Sequence, residues 1–493
     1  MVDNLARKID NAPKAEIEIS EAPVKWCSVS LAEMVERGKR LEASVFDVEA
    51  RQAFDIIHHS VFDTKPLIGD DGFVNNAHYG NRLKRRYVSK CDNNAIGFIG
   101  SSEMLDVYPH PVKYMIDDDN NKCLKVKRNT VLISRSGTIG NVTFVSKTLE
   151  KLLVSEHAIR LECVESPGYV YCYLKSRVGQ KLIQSKVYGA VVSQIEPEHL
   201  ADIPVPNAPN EIKSKINDLI MKSYDLRDES NALIDRAQAL LVKELNLPPI
   251  SEIKVDTLDE SKSVQTFNVK LSEMEGRADA SYHVPIVDAI VDILKKNAAE
   301  VTTVGDERIS KSVVLAGVFK RTYVEEEYGY PFLGGKEITQ LDPKTEKFLS
   351  KAIHKLRYEK ELKVTENTIL VTDRGTIGTV ALVPKHWNNY AVSQNVLKLV
   401  PANNDIAGYI YVFLSSEFGR ILIRRQTYGS VVDMIDNHSL EMVEFPLLRN
   451  QVVQKQINEF ALQANEKRYQ AYLLEQKALK VLDDKVIYAK RGK

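Results

Sequence analysis

The sequence predicts an α+β protein: two tandem-duplicated α/β units joined by two long helices that pair as an antiparallel coiled coil with pseudo-two-fold symmetry. Three observations carry that expectation. The stretch NTVLISRSGTIG at 129–140 returns 238 residues later as NTILVTDRGTIG at 367–378, with seven of the twelve positions identical. In both copies β-branched residues flank a glycine-bearing turn. Each copy is followed by a long segment whose apolar and small residues recur at alternating spacings of four and three.

The repeat extends well beyond these twelve residues. Upstream, RLEAS (40–44) echoes RADAS (277–281), RRYV (85–88) echoes RTYV (321–324), and FIGSSEM (98–104) echoes FLGGKEI (332–338). Downstream, VYGAVVSQI (187–195) matches TYGSVVDMI (427–435), and at the same offset of 240 Leu200 meets Leu440 and Pro206 meets Pro446. Two units of about 240 residues thus follow one order throughout. A period that long lies far above the ~20 to 50 residues of solenoid repeats, so each unit can bury its own core. The length of 493 residues agrees, since it calls for about two to four domains.

Within each unit, TVLISRSGTIGNVTFV and TILVTDRGTIGTVALV have the composition of strand, turn and strand. Gly137, Gly140, Gly375 and Gly378 supply backbone freedom at the turn. They serve either the hairpin alone or a ligand that must approach the bare backbone. A nucleotide-binding loop fits poorly, because no Lys-Ser/Thr pair or glycine-rich strand-to-helix context follows.

The first long helix is expected over 209–248, with Ile212, Ile216, Leu219, Ser223, Leu226, Ser230, Leu233, Ala237 and Leu240 in a heptad seam. Pro248 and Pro249 stop it. A linker covers 249–265, and the second globular unit covers 266–447, matching a first unit at 1–208. The second helix, at 448–493, repeats the seam with Val453, Ile457, Phe460, Ala464, Lys467, Ala471, Leu474, Ala478 and Val481. Neither seam is satisfied alone. Helices at equivalent places in duplicated units would pair antiparallel over about 38 residues, or ~57 Å; the alternative is that each packs separately on its own unit.

Composition narrows the function classes. With 44% hydrophobic and 27% charged residues the chain reads as an ordinary globular protein. No apolar run reaches the ~18 residues of a membrane span, and the N-terminus lacks the apolar core of a secretory signal, so a cytoplasmic location is expected. The five cysteines, Cys27, Cys91, Cys123, Cys163 and Cys172, form no C-x-x-C pair, which argues against a disulfide framework or a zinc cluster. The acidic run Asp117, Asp118 and Asp119 lacks metal-ligand spacing and reads as a solvated turn, and the adjacent His58 and His59 point to different faces.

Two similar domains on a rigid spacer suit a ligand with two sites at fixed distance, and duplex DNA is such a ligand. The net charge of zero, 67 basic against 67 acidic residues, leaves the question to local clusters. Arg82, Lys84, Arg85, Arg86 and Lys90 interleave with Tyr79 and Tyr87, and Lys122, Lys125, Lys127 and Arg128 precede the first hairpin. Lys320, Arg321 and Tyr323 hold the matching place in the second unit, and Arg420, Arg424 and Arg425 precede Tyr428. Such groups neutralise phosphates, although a charge run is also the ordinary make-up of a solvated face.

The paired SRSGTIG and DRGTIG hairpins, the R-x-[DE]-A-S starts, the proline-containing exits IPVPNAPNEIKSKI and EFPLLRNQVVQKQI, and the two long helices together resemble a type I restriction-modification specificity subunit, over residues 25 to 490. The resemblance implies that each globular unit is a target recognition domain reading one half of a split DNA sequence, with the helices fixing the half-site spacing. It implies double-stranded DNA and two methyltransferase subunits as partners, and motor-nuclease subunits in the full enzyme. It also implies no catalysis in this chain: S-adenosylmethionine is expected on the methyltransferase partners. In agreement, the sequence shows no Asn/Asp-Pro-Pro-aromatic element, no methyl-donor loop and no GxxxxGK[ST] motif. The DNA-binding positions expected are Lys84, Arg85, Arg86, Tyr87, Arg135, Lys186, Lys320, Arg321, Tyr323, Arg374 and Arg425.

Two departures matter. Arg135 faces Asp373 in the alignment of the hairpins and Ser136 faces Arg374, so the base-facing chemistry differs and an asymmetric target is expected. PNEIKSKI at the first helix start lacks the Glu-Gln pair common in that family, which bears on the partner contact there. Two other functions remain open to the sequence: a self-contained methyltransferase or nuclease, which the missing motifs oppose, and a DNA-independent coiled-coil scaffold, which zero net charge favours.

Overall fold

The computed structural model describes residues 26, 28–36, 46–188, 193–253, 255, 266–274, 276–345, 347–429 and 431–489. The RLEAS segment at 40–44, Cys27, residues 189–192 of the first Tyr-Gly loop and most of the 249–265 linker lie outside them. The chain divides into two compact units, Met1–Asp225 with Leu473–Lys493, and Leu226–Tyr472. Each long helix contributes to both. The content is mixed helix and sheet, and among the described residues no single helix is long and apolar enough to cross a membrane.

In the first unit an antiparallel four-stranded sheet runs in the order Val74–His78, Ala158–Cys163, Val131–Ser134, Val142–Phe144. The strand Val131–Ser134 is buried along its whole length, which explains its unbroken apolar and small-residue composition. A second sheet sets Ala95–Ile99 between an antiparallel Lys113–Ile116 and a parallel Leu153–Val154. The helix Pro167–Lys175 closes the core, its side chains buried from Tyr169 to Leu174. Ile216, Ile220 and Tyr224 of the first long helix, and Ala478, Leu482, Val486 and Ile487 at the end of the second, join that same core.

The second unit is built on the same plan. Its four-stranded sheet runs Ser310–Val314, Val396–Pro401, Ile369–Thr372, Val380–Leu382, again antiparallel. In its other sheet Gly329–Leu333 pairs antiparallel with Phe348–Ser350 and parallel with Ala391–Val392. Asn404–Ser415 is the closing helix, with ten of its residues buried.

The long helices are held by polar handles that a heptad does not display. Asn217 Oδ1 accepts from Gly168 N at 3.0 Å, and in the second unit Asn458 Oδ1 accepts from Gly408 N at 2.7 Å and Tyr409 N at 3.2 Å. A Cβ on Gly408 would lie 2.4 Å from the Asn458 carbonyl oxygen, so only glycine lets these helices approach so closely. Asn465 donates to the Val383 carbonyl at 2.9 Å, and Phe144 N donates to the Tyr224 hydroxyl at 3.1 Å. In the first unit the buried Glu475 accepts from the Tyr171 hydroxyl at 2.9 Å and pairs with Lys175.

The seam positions Ile216, Ser223, Ser230 and Ala237 are buried, but so are Ile220, Tyr224, Ile234 and Leu241. The broader stripe arises because the helix faces two neighbours, a globular core and another helix, where a simple seam faces one. Inside the second unit Lys467 pairs with Glu229 at 2.5 Å while the Arg236 guanidinium lies over Phe460 at 4.5 Å. Rising numbers on one segment meet falling numbers on the other, so these helix halves run antiparallel.

The first long helix spans Asn210–Glu244, and its stop precedes the prolines. Asn246 adopts φ 46°, with Asn246 N on the Lys243 carbonyl and Leu247 N on the Val242 carbonyl. This paired closure ends a helix through one left-handed residue, and Pro248 only prevents its resumption. The second long helix spans Gln451–Leu482 and finishes in a π-helical turn, Asp483–Ile487.

Candidate nucleic-acid interface

In each unit the hairpin loop lies beside the Tyr-Gly loop. In the first, Val131 pairs with Phe144 and Ile133 with Val142, leaving residues 135–141 as the connection. Gly137 and Gly140 take φ of 82° and 83°, as the turn requires. Ser134 anchors the loop across its base: its hydroxyl donates to the Thr138 carbonyl and accepts from Asn141 N at 2.9 Å. Tyr188 and Gln194 exchange backbone hydrogen bonds of 3.0 and 2.7 Å, and Ile195 N donates to the Arg135 carbonyl at 3.1 Å, tying the two loops together.

Arg135 fills the junction. Its guanidinium makes a bidentate pair with Glu196, stacks over the Tyr79 ring at 4.3 Å, and is 5% exposed. Tyr188 donates its hydroxyl to the same carboxylate at 2.8 Å. Burial alone would raise Glu196, but the hydrogen bonds from Arg135 and Tyr188 outweigh it and hold the carboxyl below its usual range. Arg135 thus lies beneath the loop with its guanidinium engaged by Glu196, where the sequence had suggested a base-facing residue. Ser136, next to it, exchanges a 2.7 Å hydrogen bond with His157 Nδ1.

The second unit inverts this chemistry on the same backbone. Ile435 N donates to the Asp373 carbonyl at 3.0 Å, Tyr428 and Met434 exchange bonds of 2.9 and 2.8 Å, and the Tyr428 hydroxyl donates to Asp436 at 3.2 Å. Where the first unit has a buried arginine, this one has Asp373, wholly buried and with Oδ1 unpartnered. Burial pushes its carboxyl above the usual range despite the 2.9 Å hydrogen bond from Arg374 Nε. Arg374 is 39% exposed and stands at the loop surface.

The basic-Tyr-Val segments form a second repeated cluster. Arg85 lies over Phe98 at 5.0 Å with Tyr87 beside the same ring, and Arg321 lies over Phe332 at 5.5 Å with Tyr323 beside it. Arg85 is also clamped by both oxygens of Glu156 at 2.7 and 2.8 Å, which raises its affinity for its proton. Among the described residues Arg321 has no such ion pair. Lys84, Arg86, Tyr87, Lys320 and Tyr323 are exposed.

The remaining expected positions are engaged elsewhere. Lys186 is held by Asp202 at 2.6 and 2.7 Å. Arg425 is 10% exposed, bonded to Glu444 at 2.9 Å and packed over Tyr282 at 4.6 Å. The residues missed by sequence reasoning are Glu196 and Asp436, with Tyr188. Their signal was present: the acids follow Ile195 and Ile435 at the repeat offset of 240.

Residues 317–480 match the family described as type I restriction modification DNA specificity domain. Among solved structures the chain is similar to the S subunit of a type I restriction-modification system from M. genitalium, at 13% identity and a TM-score of 0.31, covering 85% of this chain and 98% of that one. It is also similar to the HsdS subunit from Thermoanaerobacter tengcongensis, at 13% identity and a TM-score of 0.25, covering 79% of this chain and 89% of that one. No curated protein matches the chain.

Proposed function

We infer how this chain works from the family to which its residues 317–480 assign it: it is a DNA-recognition specificity subunit of a type I restriction-modification system. Each globular unit is a target recognition domain for one half of a bipartite, asymmetric target. The long helices form an antiparallel coiled coil about a pseudo-two-fold axis and set the distance between the halves. The partners are double-stranded DNA and two methyltransferase subunits, with motor-nuclease subunits in the restricting complex, all in the cytoplasm. This chain supplies no catalysis; the methyltransferase subunits carry S-adenosylmethionine.

The observation that carries the two-half reading is the inversion at one equivalent position, Arg135 on Glu196 in one unit and Asp373 with Arg374 in the other. Loops tied down by matching backbone bonds carry Ser136 next to the buried group in one unit and the half-exposed Arg374 in the other, the difference that two readers of different base pairs need. Phosphates fix the register through repeated cations, while groups at the loop surface meet base edges. Arg86, Lys84, Lys320 and Arg321 suit the first task, and Ser136 and Arg374 the second. A carboxylate or guanidinium held beneath the loop fixes the backbone on which those groups stand.

The test is a map of methylated adenines in a host expressing this chain with its methyltransferase partners. A split target with two dissimilar halves is expected. A second map, with four residues inserted in frame after Leu226, adds about one helical turn, or ~6 Å, to the spacer helix. The gap should lengthen while both half-sequences stay the same.

A further inference from the structure

The two units differ in one segment of the sheet built on Ala95–Ile99 in the first and Gly329–Leu333 in the second. Strand register makes Phe98 equivalent to Phe332 and Met115 to Leu349, and the bridges Lys125 to Leu153 and Lys363 to Ala391 close the segment at its far end. From Met115 to Lys125 is ten residues, and from Leu349 to Lys363 is fourteen, so the second unit holds four more, about one helical turn. The first unit fills this space with a short 3-10 helix, Asp119–Leu124. The second fills it with the α-helix Lys351–Arg357 running on into a π-helical stretch, Tyr358–Leu362.

The charge reverses as well. Residues 117–124 hold three aspartates and one lysine, whereas 351–362 hold Lys351, Lys355, Arg357 and Lys360 against two glutamates. The helix is anchored by one face: His354 Nε2 accepts from Thr322 N at 3.1 Å, Arg357 donates to the Gly317 carbonyl at 3.1 Å, and Tyr358 is buried against Tyr330 at 3.6 Å. The other face presents Ile353, 64% exposed, and Leu356, 79% exposed, one turn apart. Val318, 84% exposed, sits on the segment to which the helix is anchored, two residues before Lys320.

We propose that the helix Lys351–Arg357 is a groove-reading element of the second unit, with Ile353 and Leu356 contacting thymine methyl groups and Lys355 a flanking phosphate. The proposal rests on the reading of the chain as a DNA specificity subunit. Ile353 and Leu356 stand in water beside the exposed Lys355 and Lys360, while Arg357 and Lys363 are paired with Glu361 and Glu359 and Lys351 turns to the acidic segment at Glu327; an occupant that is both polyanionic and locally apolar suits the lysine-bearing part. The major groove of duplex DNA provides both, since it admits an α-helix and lines its floor with thymine methyls. The anchoring bonds to Gly317 and Thr322 set this helix against the segment that carries Lys320, Arg321 and Tyr323. The first unit has only the short, acidic 3-10 helix at this place, which makes the α-helix specific to one half-site.

The test selects bound sequences from a randomised duplex library with the full chain, alone and assembled with its methyltransferase subunits. The variant I353S/L356S changes only exposed side chains. It is expected to lose base preference in one half-site by about tenfold or more at the affected positions while the other half keeps its preference. K355E should weaken every duplex without changing the preferred sequence. Unchanged preference in both halves overturns the proposal. So does failure of I353S/L356S to assemble with the methyltransferase subunits, which would mark a protein-docking face, or wild-type binding to phosphatidylglycerol vesicles that this variant abolishes. A wild-type chain that enriches no sequence at all would instead defeat the specificity reading beneath it.

Discussion

Arg135 and Glu196 form a bidentate ion pair beneath the first hairpin loop, 61 residues apart in sequence and joined where two loops meet. Removing one partner of a pair whose carboxylate is partly reached by water leaves the other incompletely compensated, a loss of about 1 to 3 kcal/mol in typical cases. Arg135→Ala is therefore expected to destabilise the first unit by that order, and the double variant Arg135→Met/Glu196→Gln to recover most of it. Denaturant titrations of the three proteins measure the difference. A single variant as stable as wild type would show that the pair does not hold the loop.

The buried acid of the second unit predicts an opposite dependence on pH. Burial raises the Asp373 carboxyl above its ordinary value, so its ionisation costs stability at neutral pH and costs nothing once the proton is bound in both states. Asp373→Asn should stabilise the second unit at neutral pH, with an advantage that fades as the pH falls through the raised value to the ordinary aspartate value. Glu196 is held low by Arg135 and Tyr188 against its burial, so its contribution is present above the ordinary glutamate value and lost as the pH falls through its depressed one. Unfolding followed from about pH 8 to about pH 3 separates the two, and an Asn advantage that does not vary with pH would contradict the assignment.

Gly408 tests the docking of the second long helix. A methyl group there would meet the Asn458 carbonyl at 2.4 Å and Ala461 Cβ at 2.9 Å. Forcing side chains into a packed contact typically costs about 1 to 3 kcal/mol, and Gly408→Ala should lower the stability of the second unit by that amount. Thermal unfolding of the variant gives the answer, and an unshifted midpoint would mean that the helices part without cost.

Positioning and reading should separate at two arginines. Arg86→Ala is expected to weaken all duplexes and flatten the salt dependence, whereas Arg374→Ala should reduce the cognate-to-scrambled ratio, worth ~1 to 3 kcal/mol for a bidentate contact to guanine. Affinities for cognate and scrambled duplexes at several salt concentrations distinguish the roles. A uniform loss from Arg374→Ala with the ratio preserved would show that this arginine only braces Asp373.

Much of this organisation was legible in the sequence because glycine and periodicity leave local marks. The hairpins announce themselves through Gly137, Gly140, Gly375 and Gly378, and all four adopt the positive φ their spacing implies. The long helices were legible from spacing alone. What escaped were contacts between residues distant in sequence. Asn217, Asn458 and Glu475 each lie one residue past a seam position, where the heptad spacing gives them no role, yet they hold the globular parts to the helices. Arg135 read as a turn arginine free to reach a ligand, because its acid lies far along the chain. The extra helical turn at 351–362 was hidden for a related reason: it shows only when strand register fixes which residues of the two units correspond.

The central claim is that each unit reads its own half of the target, and one exchange tests it most directly. Residues 266–447 are replaced by the equivalent region of another specificity subunit, and methylated adenines are mapped in cells carrying the chimaera with its methyltransferase partners. The account predicts that one half of the recognised sequence changes to that of the donor while the other half is untouched. Changes in both halves, or in neither, would contradict it.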